Sequence, residues 1–325
     1  MRAWLSRFLV SSACLAAIAW SGAAAAAEWP SRIVTILVPF GAGGNTDMMA
    51  RLAAQDLTAK FGQNFIVENR PSAGGAIATR MVAMAEPDGY TLLFAASSMI
   101  TLTPQVQKLD FDPAKMLVPI TNVGTGSQVI AIKRSLPVSS LSEFLAYAKA
   151  RPGQLNFSVA GTQNISHLAP VLLFARAGVN LVMVPAKGEP QAISDLMSGL
   201  VDLYFGNTSA LLPYRNSDKI RLIAVGTSHR LPVAPDLPAV DETFPGFEFS
   251  SWNGFLAPAQ TPTAILDRIL AEVTTFAKSP AIVQRLDGLG IIPGGLTTQQ
   301  SEAVFDHDRQ AFAAAIKAAG IPAPQ

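Results

Sequence analysis

Thiols are almost missing from this chain: Cys14 is the single cysteine among 325 residues, and it lies in an apolar N-terminal segment. Charge is scarce too, at 14% of residues, and the signs nearly cancel, with 24 Lys and Arg against 23 Asp and Glu. The three histidines, His167, His229 and His307, are far apart. Each shortage excludes something. Without a basic stripe or an acidic tail, no nucleic-acid partner is expected. No histidine sits in an H-E-x-x-H arrangement, no G-x-S-x-G elbow occurs, and Gly188 follows Lys187 instead of preceding it as a Walker loop requires. No cofactor and no metal are expected. No apolar stretch reaches the roughly 20 residues that span a bilayer.

Apolar side chains make up 50% of the chain, enough for a large core, and the length suggests two domains. The N-terminus has the parts of an export leader. Arg2 and Arg7 are followed by an apolar run from Phe8 to Trp20, and Ala25-Ala26-Ala27 supplies small residues before Glu28. Residues 1–27 are therefore expected to be a cleaved signal peptide, placing the mature protein in the periplasm. Lipoprotein cleavage before Cys14 would leave Leu15 to Trp20 as an apolar tail and has Ser11 at a poor position for that motif. With the leader goes the only thiol, and with it disulfides, thiolate nucleophiles and Cys-ligated zinc.

The chain is organised around Ile33 to Val38, Pro39-Phe40-Gly41-Ala42-Gly43-Gly44-Asn45-Thr46-Asp47, and a helical pattern with Met49, Leu52, Ala53, Leu57 and Phe61 on one face. That is strand, glycine loop, helix. Glycines let backbone N–H groups turn to a ligand unobstructed, and Thr46 and Asp47 are good N-cap types, so the loop sits at the positive end of a helix dipole. An anion fits such a loop. Glycine turns of this kind also serve only to pack helix against sheet. A dinucleotide reading competes as well: Gly41 and Gly43 match the first two glycines of G-x-G-x-x-G, and Glu68 stands where a ribose-binding acid belongs. Thr46, however, occupies the third glycine position.

The pattern then repeats. Asn64 to Val67 reads as a strand, Ala76 to Ala85 as a helix with Ile77, Met81, Met84 and Ala85 inward, and Tyr90 to Ala95 as a third strand. Ser97 and Ser98 follow it at the same sheet edge as the glycine loop. Leu117 to Ile120 and Val129 to Ile132 read as strands separated by Gly124-Thr125-Gly126, a crossing between lobes. Pro137 to Ala150 reads as a helix with Leu141, Phe144, Leu145 and Ala148 inward. Short strands at 155–159, 181–184 and 203–205 alternate with helices at 167–177 and 191–200, a second β-α-β unit whose first strand also ends in small residues, Ala160-Gly161-Thr162-Gln163-Asn164. Ile220 to Val225 and Ser250 to Leu256 are further strands. A helix after Thr261-Pro262-Thr263 and a last one over 301–319 close the chain.

Several runs carry a family resemblance. Val38-Pro39-Phe40-Gly41-Ala42-Gly43-Gly44-Asn45-Thr46-Asp47, Val67-Glu68-Asn69-Arg70-Pro71 with Gly74-Gly75, Pro87-Asp88-Gly89-Tyr90-Thr91, Gly161-Thr162 with His167-Leu168-Ala169, Val184-Pro185-Ala186-Lys187-Gly188, Asp195-Leu196-Met197-Ser198-Gly199 and Ser251-Trp252-Asn253-Gly254 stand in order across the mature chain. Together they resemble the Bug family of extracytoplasmic solute receptors, the binding components of tripartite tricarboxylate transporters. The resemblance implies an α/β fold of the type II, Venus-flytrap kind: two lobes, each a doubly wound sheet flanked by helices, closing on a small carboxylate without catalysis. Residues 28–128 with 251–325 are expected to form one lobe and 129–250 the other.

The resemblance also implies that loops 39–47 and 160–164 act as two pincers holding one carboxylate through backbone N–H groups, small hydroxyls and bridging waters. Expected ligand contacts are Phe40, Gly41, Ala42, Gly43, Gly44, Asn45, Thr46, Asp47, Ser97, Ser98, Gly161, Thr162, Gln163, Asn164, His167, Ala186, Lys187 and Asn207. Implied partners are membrane transporter subunits; a sensor kinase is the alternative partner, and a monomer is expected. Two residues depart from the family pattern. Ala186 stands where a tyrosine is usual and removes an aromatic wall or hydroxyl, and Asn45 replaces a smaller residue or proline and adds a side-chain amide.

Overall fold

The computed structural model describes residues 29–71, 75–160 and 165–318. The expected signal peptide and the loop residues Gly161, Thr162, Gln163 and Asn164 lie outside the described residues. Among those described, no helix is long and apolar enough to cross a membrane.

Strands β1 (Val34–Val38), β2 (Phe65–Asn69) and β3 (Thr91–Ala96) alternate with helices α1 (Asn45–Phe61) and α2 (Ala76–Ala83). β1 pairs in parallel with both β2 and β3, so all three carboxyl ends share one edge. Alternate residues of these strands bury on opposite faces, as a two-sided sheet requires. Val34, Ile36, Val38 and Phe94 pack with Met49, Leu57 and Ile269, whereas Leu37, Leu93 and Ala95 pack with Val82, Trp252 and Phe305.

The expected helix face of α2 is reversed. Ile77, Met81 and Met84 are 53%, 45% and 54% exposed, while Ala78, Thr79, Val82 and Ala83 are buried. Small side chains let this helix lie close to the sheet, and Thr79 satisfies its hydroxyl on the Gly75 carbonyl at 2.9 Å. Hydrophobicity alone points the larger side chains inward, but it does not register close approach.

A second difference concerns the crossing. In place of two strands and a glycine loop, Leu117–Lys133 is one 17-residue strand, β4. Its first part pairs with β9 (Ser250–Pro258), from Leu117 opposite Pro258 to Ser127 opposite Ser250; its last part pairs with β7 (Leu203–Asn207) and β8 (Ile220–Val225). Register shifts near Pro119/Thr121 and Asn122/Gly124 break the two-residue alternation, so a continuous strand reads as interrupted. Its buried polar side chains have partners: Thr121 donates to the Leu296 carbonyl at 2.7 Å, and the Ser127 and Thr208 hydroxyls bond at 2.7 Å.

β5 (Asn156–Val159) pairs in parallel with β6 (Val182–Pro185) and β7, repeating the first unit. Its helices are α3 (Leu141–Lys149), which buries the expected Leu141, Phe144, Leu145 and Ala148, then α4 (Ile165–Ala177) and α5 (Glu189–Ser198). The main strand order is β2-β1-β3-β9-β4-β7-β5-β6, with β8 also pairing with β4, so the two α/β lobes share β4. After β9 come α6 (Thr263–Ala277), α7 (Pro280–Asp287), the short β10 (Ile291–Pro293) on β4, and α8 (Thr298–Ala318). α8 touches both cores: Phe305 packs on Trp252 of the first sheet, and Phe312 and Ile316 join Phe157, Phe205 and Phe249 of the second.

Candidate functional site

Parallel strands of both sheets end, and helices begin, around a cleft of about 900 Å³. In open α/β sheets this edge is where ligands sit. One wall is Pro39, Phe40, Gly41, Ala42, Gly43, Gly44, Asn45 and Thr46, joined by Ser98 after β3. The other is built by Ala160, Ser166, Lys187, Gly188, Glu189, Tyr204 and Asn207, and the floor by Gly126, Gln128, Ser251 and Asn253 of the two crossing strands.

The first wall is braced from behind. Asp47, buried in the first turn of α1, accepts the Gly43 amide at 2.9 Å, Arg51 Nε at 3.0 Å and Asn69 Nδ2 at 2.8 Å. Asn69, the last residue of β2, also donates to the Phe40 carbonyl at 3.1 Å. Burial works to raise the Asp47 pKa, but the bonds from Arg51, Gly43 and Asn69 outweigh it and hold the carboxyl below its ordinary value. Asp47 thus stays ionised, behind the loop and off the cleft surface. The N-cap position is held by Gly44 without a side-chain bond, and the first helical bond runs from Met48 N–H to the Gly44 carbonyl. The N–H groups of the first turn precede that ladder. Thr46 turns its hydroxyl to Asn253 Oδ1 at 2.8 Å, tying the loop to β9, and Asn253 Nδ2 bonds the Ser251 carbonyl at 2.7 Å. The expected N-cap role of Thr46 and Asp47 is therefore replaced by anchoring roles on either side of the loop.

Two lobes meet directly here. Ser209, from the short helix after β7, donates to Asn45 Oδ1 at 3.4 Å, and a Cβ on Gly126 would lie 2.7 Å from Asn45 Nδ2.

Of the other expected contacts, Ser98, Lys187 and Asn207 line the cleft. Ser97 is buried beside it and donates to Asp308 Oδ2 at 3.2 Å, binding β3 to α8. Ala186 packs against a core cluster with Ala192, Leu196 and Tyr204, and His167 sits half-buried on α4, where burial lowers its pKa; neither lines the cleft. Glu68, the acid of the dinucleotide reading, pairs with Arg70 at 2.9 Å and is absent from the cleft wall.

Several lining residues went unanticipated: Gln128, Ser166, Glu189, Tyr204, Tyr214, Phe249, Ser251 and Asn253. Glu189 is the one with a sequence signal. Pro190 lies in the first helical turn, where proline is tolerated, which marks Glu189 and not Gln191 as the helix start. The Glu189 carboxylate accepts the Asn207 backbone N–H at 2.8 Å, Asn207 Nδ2 at 2.9 Å and the Tyr204 hydroxyl at 3.1 Å. Gln128 Oε1 and Ser251 Oγ, also in this cleft, are buried without a hydrogen-bond partner among the described residues.

The fold and this cleft define a two-lobed α/β ligand-binding receptor. The model of the tripartite tricarboxylate transporter family receptor matches residues 49–321, and the chain belongs to that family. It is 32% identical over 312 residues to protein BugT of Bordetella pertussis, covering 93% of this chain and 95% of that one. Among solved structures it resembles R. palustris Rpa4515 with adipate (34% identity, TM-score 0.85, covering 92% of this chain and 100% of the other). It also resembles MatC from Rhodopseudomonas palustris with bound malate (28% identity, TM-score 0.79, covering 90% and 100%).

Proposed function

We propose that the protein is a periplasmic solute receptor without catalytic activity that closes on a small carboxylate and presents the closed form to subunits of a membrane transporter. The observation that carries this reading is the convergence of the glycine loop 40–46, at the start of α1, with residues of the opposite lobe on one cleft in which Lys187 and Glu189 are the charged lining residues. An anion is held in such a site by oriented N–H groups and hydroxyls, with few full charges. The adipate and malate bound by two relatives are carboxylates of this size class.

In this reading residues 28–128 with 251–325 and residues 129–250 are the lobes. β4 and β9 are the connections on which they move, and α8 is tied to both cores. The contacts in this reading are the loop residues Phe40 to Thr46, Ser98, Lys187 and Asn207. A thermal-shift screen over mono-, di- and tricarboxylates, aromatic acids included, tests it. Binding raises the melting temperature by mass action, and at micromolar affinity, about −8 kcal/mol, the shift is several degrees at millimolar ligand. No response to any acid would defeat the proposal.

A further inference from the structure

Glu189 is an odd residue for a cleft that takes anions. Three donors from Asn207 and Tyr204 converge on its two oxygens. The backbone N–H of Asn207 can only donate, so Oε1 is an acceptor. A carboxylate has about four acceptor positions, and three are filled. The residue lines the cleft and is only partly covered, and among the described residues no Lys, Arg or His nitrogen lies within 4.0 Å of it. Gln128, buried in the floor of the same cleft, adds a carbonyl oxygen that receives no bond among the described residues.

A second carboxylate brought up to Glu189 would meet a like charge in a partly covered site, which raises the cost of keeping both groups ionised. An amine or a primary amide meets no such cost: it donates to the unfilled oxygen position, and an ammonium also neutralises the partly buried charge. Burial raises the Glu189 pKa against the bonds from Asn207 and Tyr204. A cationic partner would relieve that cost.

We infer that Glu189 is a specificity-determining residue, and that the cleft selects a carboxylic acid whose opposite end carries an amine or primary amide over the dicarboxylate of equal length. The inference rests on the carboxylate reading given above: the first wall takes the acid group in every case, and Glu189 chooses among the far ends.

The test is calorimetric titration of the full mature chain at pH 7.5 with matched pairs: succinate and 4-aminobutanoate, glutarate and 5-aminopentanoate, adipate and 6-aminohexanoate, with adipamate as the amide probe. In the pair that binds, the amino or amide member is expected to bind at least tenfold tighter than the dicarboxylate. Glu189→Gln keeps the shape and removes the charge, and should cut that ratio at least tenfold while the melting temperature stays within a few degrees. Should the variant fold poorly, the wild-type ratio decides alone. Equal or tighter binding of the dicarboxylate, or a well-folded Glu189→Gln with an unchanged ratio, overturns the inference and leaves the receptor reading standing. Failure of every acid, in the pairs and in the wider screen, removes the receptor reading itself and this inference with it.

Discussion

The Asp47 carboxylate accepts the amide N–H of Gly43 at 2.9 Å, so one of the loop's amides is committed inside the protein. Asp47 sets the curvature of the loop, while the amides of the first α1 turn remain outside the helical ladder. Asp47→Ala should therefore cost more than the ~1 kcal/mol of a lost cap. With Gly43, Arg51 and Asn69 all losing a partner, about 2 to 3 kcal/mol is expected in urea unfolding. A loss of 1 kcal/mol or less would reduce Asp47 to an ordinary cap.

Gly126 and Asn45 form a contact across the floor of the cleft. A methyl group at Gly126 would press on Asn45 Nδ2 from 2.7 Å, and that side-chain end can move away, giving up its bond from Ser209. Gly126→Ala should leave stability within about 1 kcal/mol of wild type and weaken ligand binding several-fold, through a shift toward the open form. Calorimetry and melting curves on the same sample check both halves.

At Gly254 there is no such escape. A Cβ there would lie 2.5 Å from Asn122 Cα and closer still to the Thr121 carbonyl, both backbone of the paired strand β4. Gly254→Ala should destabilise by about 3 kcal/mol or more, read in urea unfolding, because neither strand can retreat without parting the ladder between them.

Asp308 links pH to the junction of α8 and β3. Burial raises its pKa from 3.8 to about 6, against the Ser97 bond and His307, with Glu248 adding repulsion. The native state therefore holds this proton more tightly than the unfolded chain does. The stability it contributes is complete below pH ~4 and is lost as pH rises through about 6. At 1.4 kcal/mol per unit the full effect is roughly 3 kcal/mol. Asp308→Asn should be close to neutral at pH 4 and stabilising at pH 7.5. A variant equally destabilising at both would contradict the assignment.

Much of this was legible in the residues. The β-branched apolar run up to Val38 and the change to helical spacing at Met49 placed the first unit, and Leu141, Phe144, Leu145 and Ala148 bury as their spacing requires. The glycine loop lines the cleft because a strand end and a helix start are neighbours in sequence. Gln128, Ser251 and Asn253 were hidden because they sit mid-strand, where bulges in β4 and pairing with β9 bring them to the cleft; no local pattern marks that. The α2 face was misread because Ala78 and Val82 win by close approach what Ile77 and Met81 would win by size.

The central claim is that the glycine corner at residues 41 to 44 grips the acid group. Gly43 lines the cleft with φ +82 and open space beyond a Cβ, so a β-branched side chain there strains the loop and adds bulk without displacing the core. The decisive measurement is titration of the tightest acid from the screen into wild type and Gly43→Val. Micromolar binding by the wild type, lost in a variant that still unfolds cooperatively, is the expected result, and undiminished affinity in Gly43→Val would contradict it.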